Sequence, residues 1–272
     1  MTRRLYFACM PAACLMILAC NRSSPPAVVV VRPAPGTLDL CIAANEFDDG
    51  PAIATASRIG EEAQAKERDR RAARGEPPLA PTAEEGLSFY VNKVDCTYHW
   101  APLSPVYARR LGIGLPTAED DHNNIERQFV EARKFGNWVH HAGAFYCSTS
   151  SGKNEWGVES VDYFMLIRDE PKEMSLNGVD ITFTWFRNDP GAKDSVHLDA
   201  KLEGADADKL FDMTTRNRPT EGRSRMLVLI HRGKVLSEAN ITGPLAGGRF
   251  AYSGGANQNG LDFEELLAEL RK

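Results

Sequence analysis

The residues best suited to chemistry in this chain are its six histidines and six cysteines, and their spacing serves neither metal binding nor catalysis well. His140 and His141 are adjacent, so on a strand they point to opposite faces and cannot share one metal. His99, His122, His197 and His231 each stand alone, as surface or hydrogen-bonded histidines commonly do. Cys41, Cys96 and Cys147 form no CxxC pair, which removes the usual zinc and thioredoxin-like patterns. Ser148-Thr149-Ser150-Ser151-Gly152-Lys153 ends like a phosphate loop but lacks its first glycine at the required spacing, and reads as an ordinary loop. The carboxylate pairs Asp48-Asp49 and Asp120-Asp121 suit helix starts, where acids meet the positive end of the dipole. Gly247-Gly248 and Gly254-Gly255 read as turns. Trp156, Tyr163, Trp185 and Phe186 have the right chemistry to line a groove for extended polypeptide, though core positions explain most of them more simply. No HExxH, EF-hand or GxSxG pattern occurs. No catalytic, metal or cofactor-binding residue is therefore nominated, and no enzyme activity is expected.

The N-terminus points to a compartment. Arg3-Arg4 precede an apolar stretch, Leu5 to Ala19, that is short for a membrane span. It ends Ile17-Leu18-Ala19-Cys20, which resembles the lipobox of bacterial lipoproteins. That resemblance implies removal of residues 1–19 and a lipidated (palmitate-bearing) Cys20. With no aspartate after the cysteine, it implies outer-membrane sorting, facing the periplasm. Residues 20–35 are rich in Ser and Pro and read as a tether; Val28 to Val31 is a short strand candidate within it. Losing the leader removes two of 32 basic residues and no acid, so 30 remain against 37 acidic residues, a formal charge of −7. A mildly acidic chain argues against nucleic-acid binding. Among the cysteines outside leader and anchor, one disulfide with one free thiol and three reduced thiols both remain open.

The elements beyond the tether read as α+β. Thr37 to Ala43 alternates as a strand. Asp49-Gly50-Pro51 opens a helix, with Pro51 at its first position, that runs on into the charged stretch KERDRRAAR as a solvated extension. Strands are expected within Leu87 to Trp100, then over Trp138 to Cys147 and Val161 to Ile167. A helix is expected over Glu119 to Phe135, and a loop after Cys147. From Asp169 the pattern sharpens. Val179 to Phe186 and Val196 to Leu202 flank the turn Asn188-Asp189-Pro190-Gly191. A helix follows Gly204. Met226 to Ile230 is apolar throughout, as in a strand buried on both faces. His231-Arg232-Gly233-Lys234 turns it back into Val235-Leu236, and Gly247-Gly248 feeds a third strand, Arg249 to Tyr252. Phe263, Leu266, Leu267 and Leu270 make the apolar face of a final helix. The order implies largely antiparallel sheets with helices packed on one face.

Several of these residues also carry a resemblance. Leu229-Ile230, Gly233, Val235 with Ser237 and Ile241, and Gly248-Arg249 with Ser253-Gly254 resemble the head of the first periplasmic domain of SecD/SecDF, an accessory subunit of bacterial protein export. Gly204-Ala205, Phe211 and Thr214-Thr215 are similar to that head's helix, and Gly36-Thr37-Leu38 with Asn45 to the opening of the region. The resemblance implies a base subdomain over 36–168, a head subdomain over 169–272, no active site and no cofactor. It implies a domain that holds extended or translocating polypeptide. The sequence ends at Lys272 without the family's membrane bundle, so proton-driven export by this chain alone is not expected. The alternative expectation is a structural or assembly module that binds a folded envelope or translocon partner.

Overall fold

The computed structural model describes residues 28–77, 97–114, 125–132, 138–141, 143–153, 159–187, 196–220, 223, 225–254 and 263–272. Expectations for the leader, Cys20, Cys96, the Asp120-Asp121 pair, His122, Trp156 and Gly255 lie outside these residues. The described part is α+β, with two mostly antiparallel sheets and a few helices.

The first sheet has four strands in the order β1 (Val28–Val31), β8 (Thr182–Arg187), β9 (Val196–Lys201) and β12 (Arg249–Gly254), all antiparallel. The second runs β11 (Lys234–Asn240), β10 (Met226–His231), β2 (Leu38–Ala43), β6 (Glu159–Asp169), β5 (Ala144–Lys153) and β4 (Trp138–His141). The short β7 (Leu176–Asn177) pairs with β2. Strand β3 (Thr97–Pro102) pairs with β6. Met165 of β6 pairs with Ala101 on β3 and Tyr146 on β5, so those two strands flank it on opposite edges. Leu103, just after β3, reaches across to Val235 of β11 in a parallel bridge, and the Ser104 N–H donates to the Val235 carbonyl at 2.9 Å. The second sheet is thereby curled into a half-barrel.

Two cores follow from strict alternation along the central strands. Leu38, Leu40 and Ile42 of β2 and Leu227 and Leu229 of β10 face the first sheet, where Phe183, Leu198 and Ala200 meet them. Helices α4 (Ala205–Arg216) and α5 (Phe263–Leu270) close that layer with Leu210, Met213, Leu266, Leu267 and Leu270. Cys41 and Ala43, with Met226, Val228 and Ile230, face the inside of the curl. There α2 (Pro105–Arg110) and α3 (Ile125–Ala132) cover them with Tyr107, Ile125 and Phe129. The helices thus lie on both faces of the curled sheet, rather than on one as expected. Strands apolar on both sides require cover on both sides.

Other departures are local. Val28–Val31 is an edge strand with Val31 buried, not tether, because alternate valines can bury against Phe183 and its neighbours. Helix α1 (Glu46–Ala73) begins three residues earlier than Asp49, which leaves Pro51 inside it. Asn45 is the reason. Its side chain accepts from the Asp48 N–H at 2.8 Å while its own N–H donates to Asp49 Oδ2 at 3.0 Å, a reciprocal cap. Residues 138–147 form a hairpin rather than one strand, turning at Gly143, whose φ is +92°. Ser148–Lys153 is not a loop but the end of β5, paired with residues 159–163 of β6. The change of composition at Asp169 does not coincide with a change of sheet, since β10 pairs directly with β2. The turn after β10 matches its expectation: Arg232 and Gly233 have φ of 50° and 75°, a two-residue hairpin turn of the primed type.

Candidate functional site

Three arrangements hold the polar chemistry of the described residues. The first centres on Asp49, which is fully buried at the start of α1. The Tyr98 hydroxyl donates to Asp49 Oδ1 at 2.6 Å, and Arg225 Nη1 lies 3.3 Å from Oδ2. Arg168 Nη1 lies 3.8 Å from Oδ1. Arg168 continues to Glu170 at 2.8 Å and to Asn217 Oδ1 at 2.7 Å. The Asn217 amide donates in turn to Glu170 and to the Met213 carbonyl at the end of α4. Arg225 also meets Asp48 at 3.0 Å. Three acids and two guanidinium groups are thus mutually paired, and the network joins α1, β3, β6, α4 and the approach to β10. Every charge in it faces a partner inside the protein, which is a fastening, not a reactive site.

The second arrangement lies across the curled sheet at β2, β6 and β3. Ile42 pairs with Arg168, so Cys41 falls beside Asp169 on the same face. His99 Nδ1 of β3 is 3.0 Å from Asp169 Oδ2. A cysteine, an aspartate and a histidine therefore lie in a row, with the carboxylate in the middle. Nucleophilic catalysis needs the imidazole next to the sulfur to accept its proton. Here burial first, and the Asp169 charge next, push the Cys41 thiol far up. Burial does the same to Cys147. Both thiols are free and buried, so Cys41 and Cys147 are not bonded to each other. In a C96S chain, Cys41 and Cys147 are expected to resist an aromatic disulfide reagent in the native state and to react fully in urea. Native-state labelling of either within minutes would contradict the burial.

The third is inside the curl, against β11. A bulge between Leu229 and Ile230 shifts the register so that Ile230 pairs with Val235 but Val228 pairs with Glu238. Val235 and Val228 both face the inside, so the bulge turns Glu238 inward as well. Strict alternation from Val235 would have pointed it out. Arg110 Nη2 lies 3.4 Å from Glu238 Oε1. The buried Tyr107 and Tyr146 hydroxyls are 3.0 Å apart beside it. Burial pushes the Glu238 carboxyl up, against the opposing pull of Arg110. It pushes both phenols up too.

The histidines and aromatics singled out by residue type scatter through the fold. His140 packs edge-on to Phe145 and His141 to Tyr146, rings that project to opposite sides of β5. Burial lowers the affinity of His141 for a proton, helped by His140. Among the described residues no group of three or more His, Cys, Asp or Glu is placed to hold a metal. No described helix is long and apolar enough to cross a membrane. Trp185 packs on the first core and Tyr163 on the second, so they do not share a groove. Asp48-Asp49 does open a helix, as expected. Glu238, Tyr107, Tyr146 and Arg168 carried no signal in the sequence.

One feature faces outward. Strand β1 is at the edge of the first sheet, and Val28 and Val30 are 52% and 57% exposed. Val28 to Val31 contains no charge to discourage a further strand. Comparison with protein-family models, curated proteins and solved structures finds no match to this chain.

Proposed function

We propose that this chain is a non-catalytic cell-envelope lipoprotein, anchored through Cys20 on the periplasmic side of the outer membrane. Its folded part is a SecD-like periplasmic domain, with base and head subdomains, that binds extended polypeptide in protein export. The observation that carries the binding role is the β1 edge: four valines, two of them exposed, bordering an antiparallel sheet. A guest strand there gains main-chain hydrogen bonds for affinity while its alternate side chains meet Val28 and Val30. Placement of the carboxylate, rather than the imidazole, beside Cys41 supports the absence of thiol catalysis.

The test uses residues 28–272, so that β1 is retained. Titration against a reduced, alkylated protein, with its folded form as control, is expected to give saturable binding to the unfolded chain alone. Val28→Lys with Val30→Lys places two charges on the exposed edge and is expected to weaken that binding about tenfold, the order of one lost strand contact of about 1.4 kcal/mol. Absence of binding by the parent overturns the polypeptide role. Capture of a folded envelope protein would then favour an assembly module.

A further inference from the structure

We propose that Glu238 is a proton-operated latch: protonated, it keeps α2 seated on β11 and the curled sheet closed, and ionised, it drives α2 away. The joint is narrow. The curl closes where Leu103 meets Val235, where the Ser104 N–H donates to the Val235 carbonyl, and where Leu103 N–H donates to the Tyr163 carbonyl at 2.8 Å. Helix α2 starts at once, capped by Ser104, whose Oγ accepts from the Tyr107 N–H at 3.2 Å. Its buried face holds it down through Val106 and Tyr107, with Ala108 and Leu111 packed beside them and Arg109 paired with Glu265 of α5.

Glu238 lies in that seam. The groups that face it are Tyr107 and Arg110 from α2 and Tyr146 from β5, while Val228 opposite it on β10 is apolar. Its side chain is 17% exposed, yet Oε2 has no contact with solvent and no hydrogen-bond partner. Arg110 reaches the other oxygen only. An ionised carboxylate here is buried with Tyr107 and Arg110 as its donors and no geometric hydrogen bond at Oε2, a costly state that water would relieve if α2 lifted. A proton on Oε2 removes the charge and the need for a donor.

The sign follows from the environment. The closed state holds the Glu238 proton to higher pH than an open, hydrated state does. Closure is therefore complete below the ordinary carboxylate range and weakens as pH rises through the interval up to the raised value, the open fraction growing by at most about tenfold per pH unit. Arg110, and the Tyr107 hydroxyl that donates to the carboxylate, oppose this by favouring the ionised form, and burial outweighs them.

The experiment is amide exchange of residues 106–113 against pH, corrected for intrinsic rates, in the full chain. In the parent, protection of α2 is expected to fall with rising pH, with protection of β10 unchanged. In Glu238→Gln, which keeps the size and removes the proton equilibrium, α2 protection is expected to be flat. In Arg110→Met the fall is expected to begin at the same pH but to continue to higher pH, so that the total loss of α2 protection is larger. A flat parent profile, or the same slope in Glu238→Gln, overturns the latch. Should Glu238→Gln fail to fold, Arg110→Met decides: a fall extended to higher pH supports the latch, and a profile identical to the parent's overturns it.

Discussion

Asp49→Ala is expected to cost about 3–5 kcal/mol of folding stability, the penalty for removing one partner from a buried ionic network. Asp49 is fully buried, and its two oxygens accept from Tyr98, Arg225 and the Asn45 N–H while facing Arg168. Removal leaves two guanidinium groups, each only 12% exposed, with reduced counter-charge. It also frees the cap that starts α1. Against a typical domain stability of about 5–15 kcal/mol, the loss would be a large part of the whole. Asp48→Ala is the matched control. Asp48 also meets Arg225, at 3.0 Å, but it is 39% exposed, and water can replace it. Its cost is expected to stay near 1 kcal/mol or below. Urea unfolding of both variants gives the comparison. Equal midpoints would mean that burial does not set the value of these charges.

Gly248→Ala carries the second large effect. Gly248 has φ of +66°, and a β-carbon there would lie 2.5 Å from the Leu202 carbonyl oxygen and 2.7 Å from Ala207 Cβ. Its carbonyl accepts from the Leu202 N–H at 2.9 Å, so the end of β9, the start of α4 and the start of β12 converge on this residue. Left-handed backbone costs an alanine about 1–2 kcal/mol, and the forced displacement adds about 1–3 kcal/mol. Gly247→Ala separates the two terms. Its φ is +68°, but nothing lies within 4 Å of the added carbon. It is expected to lose only the backbone share. Ala207→Gly should rescue Gly248→Ala little, because the nearer clash is with main chain. Full rescue would show that the side-chain contact dominates. Thermal or urea unfolding of the four chains is sufficient.

These two positions show where the residues spoke for themselves and where they did not. Strand β10 was legible because five consecutive apolar residues can be satisfied only by cover on both faces, and Leu227 and Leu229 face one core while Met226, Val228 and Ile230 face the other. The turn at Arg232-Gly233 and the apolar face of α5 were legible for the same local reasons. The hairpin at Gly143 was not, since glycine in an aromatic-rich run is equally compatible with continued strand. The inward turn of Glu238 was hidden more deeply. It depends on a bulge at Leu236, and no composition rule marks which residue of Val235-Leu236-Ser237 leaves the ladder. Asp49 was read correctly as a helix-opening acid, but its partners Arg168 and Arg225 lie over a hundred residues away. Long-range pairing of that kind leaves no periodicity behind.

The docking of β1 has a mechanical consequence. Had the fold begun at Leu38, eighteen peptide steps would separate it from the proposed anchor at Cys20, a reach of about 63 Å at about 3.5 Å per step. Because Val28 is already fixed to Phe186 by the sheet, only eight steps remain, and the leash shortens to about 28 Å. The volume that leash sweeps shrinks roughly tenfold, and the local concentration of the β1 edge at the bilayer surface rises in proportion. On the proposed anchoring, the β1 edge would thus be confined to a shell about 28 Å deep against the bilayer that carries the lipid, rather than ranging through the space beyond it.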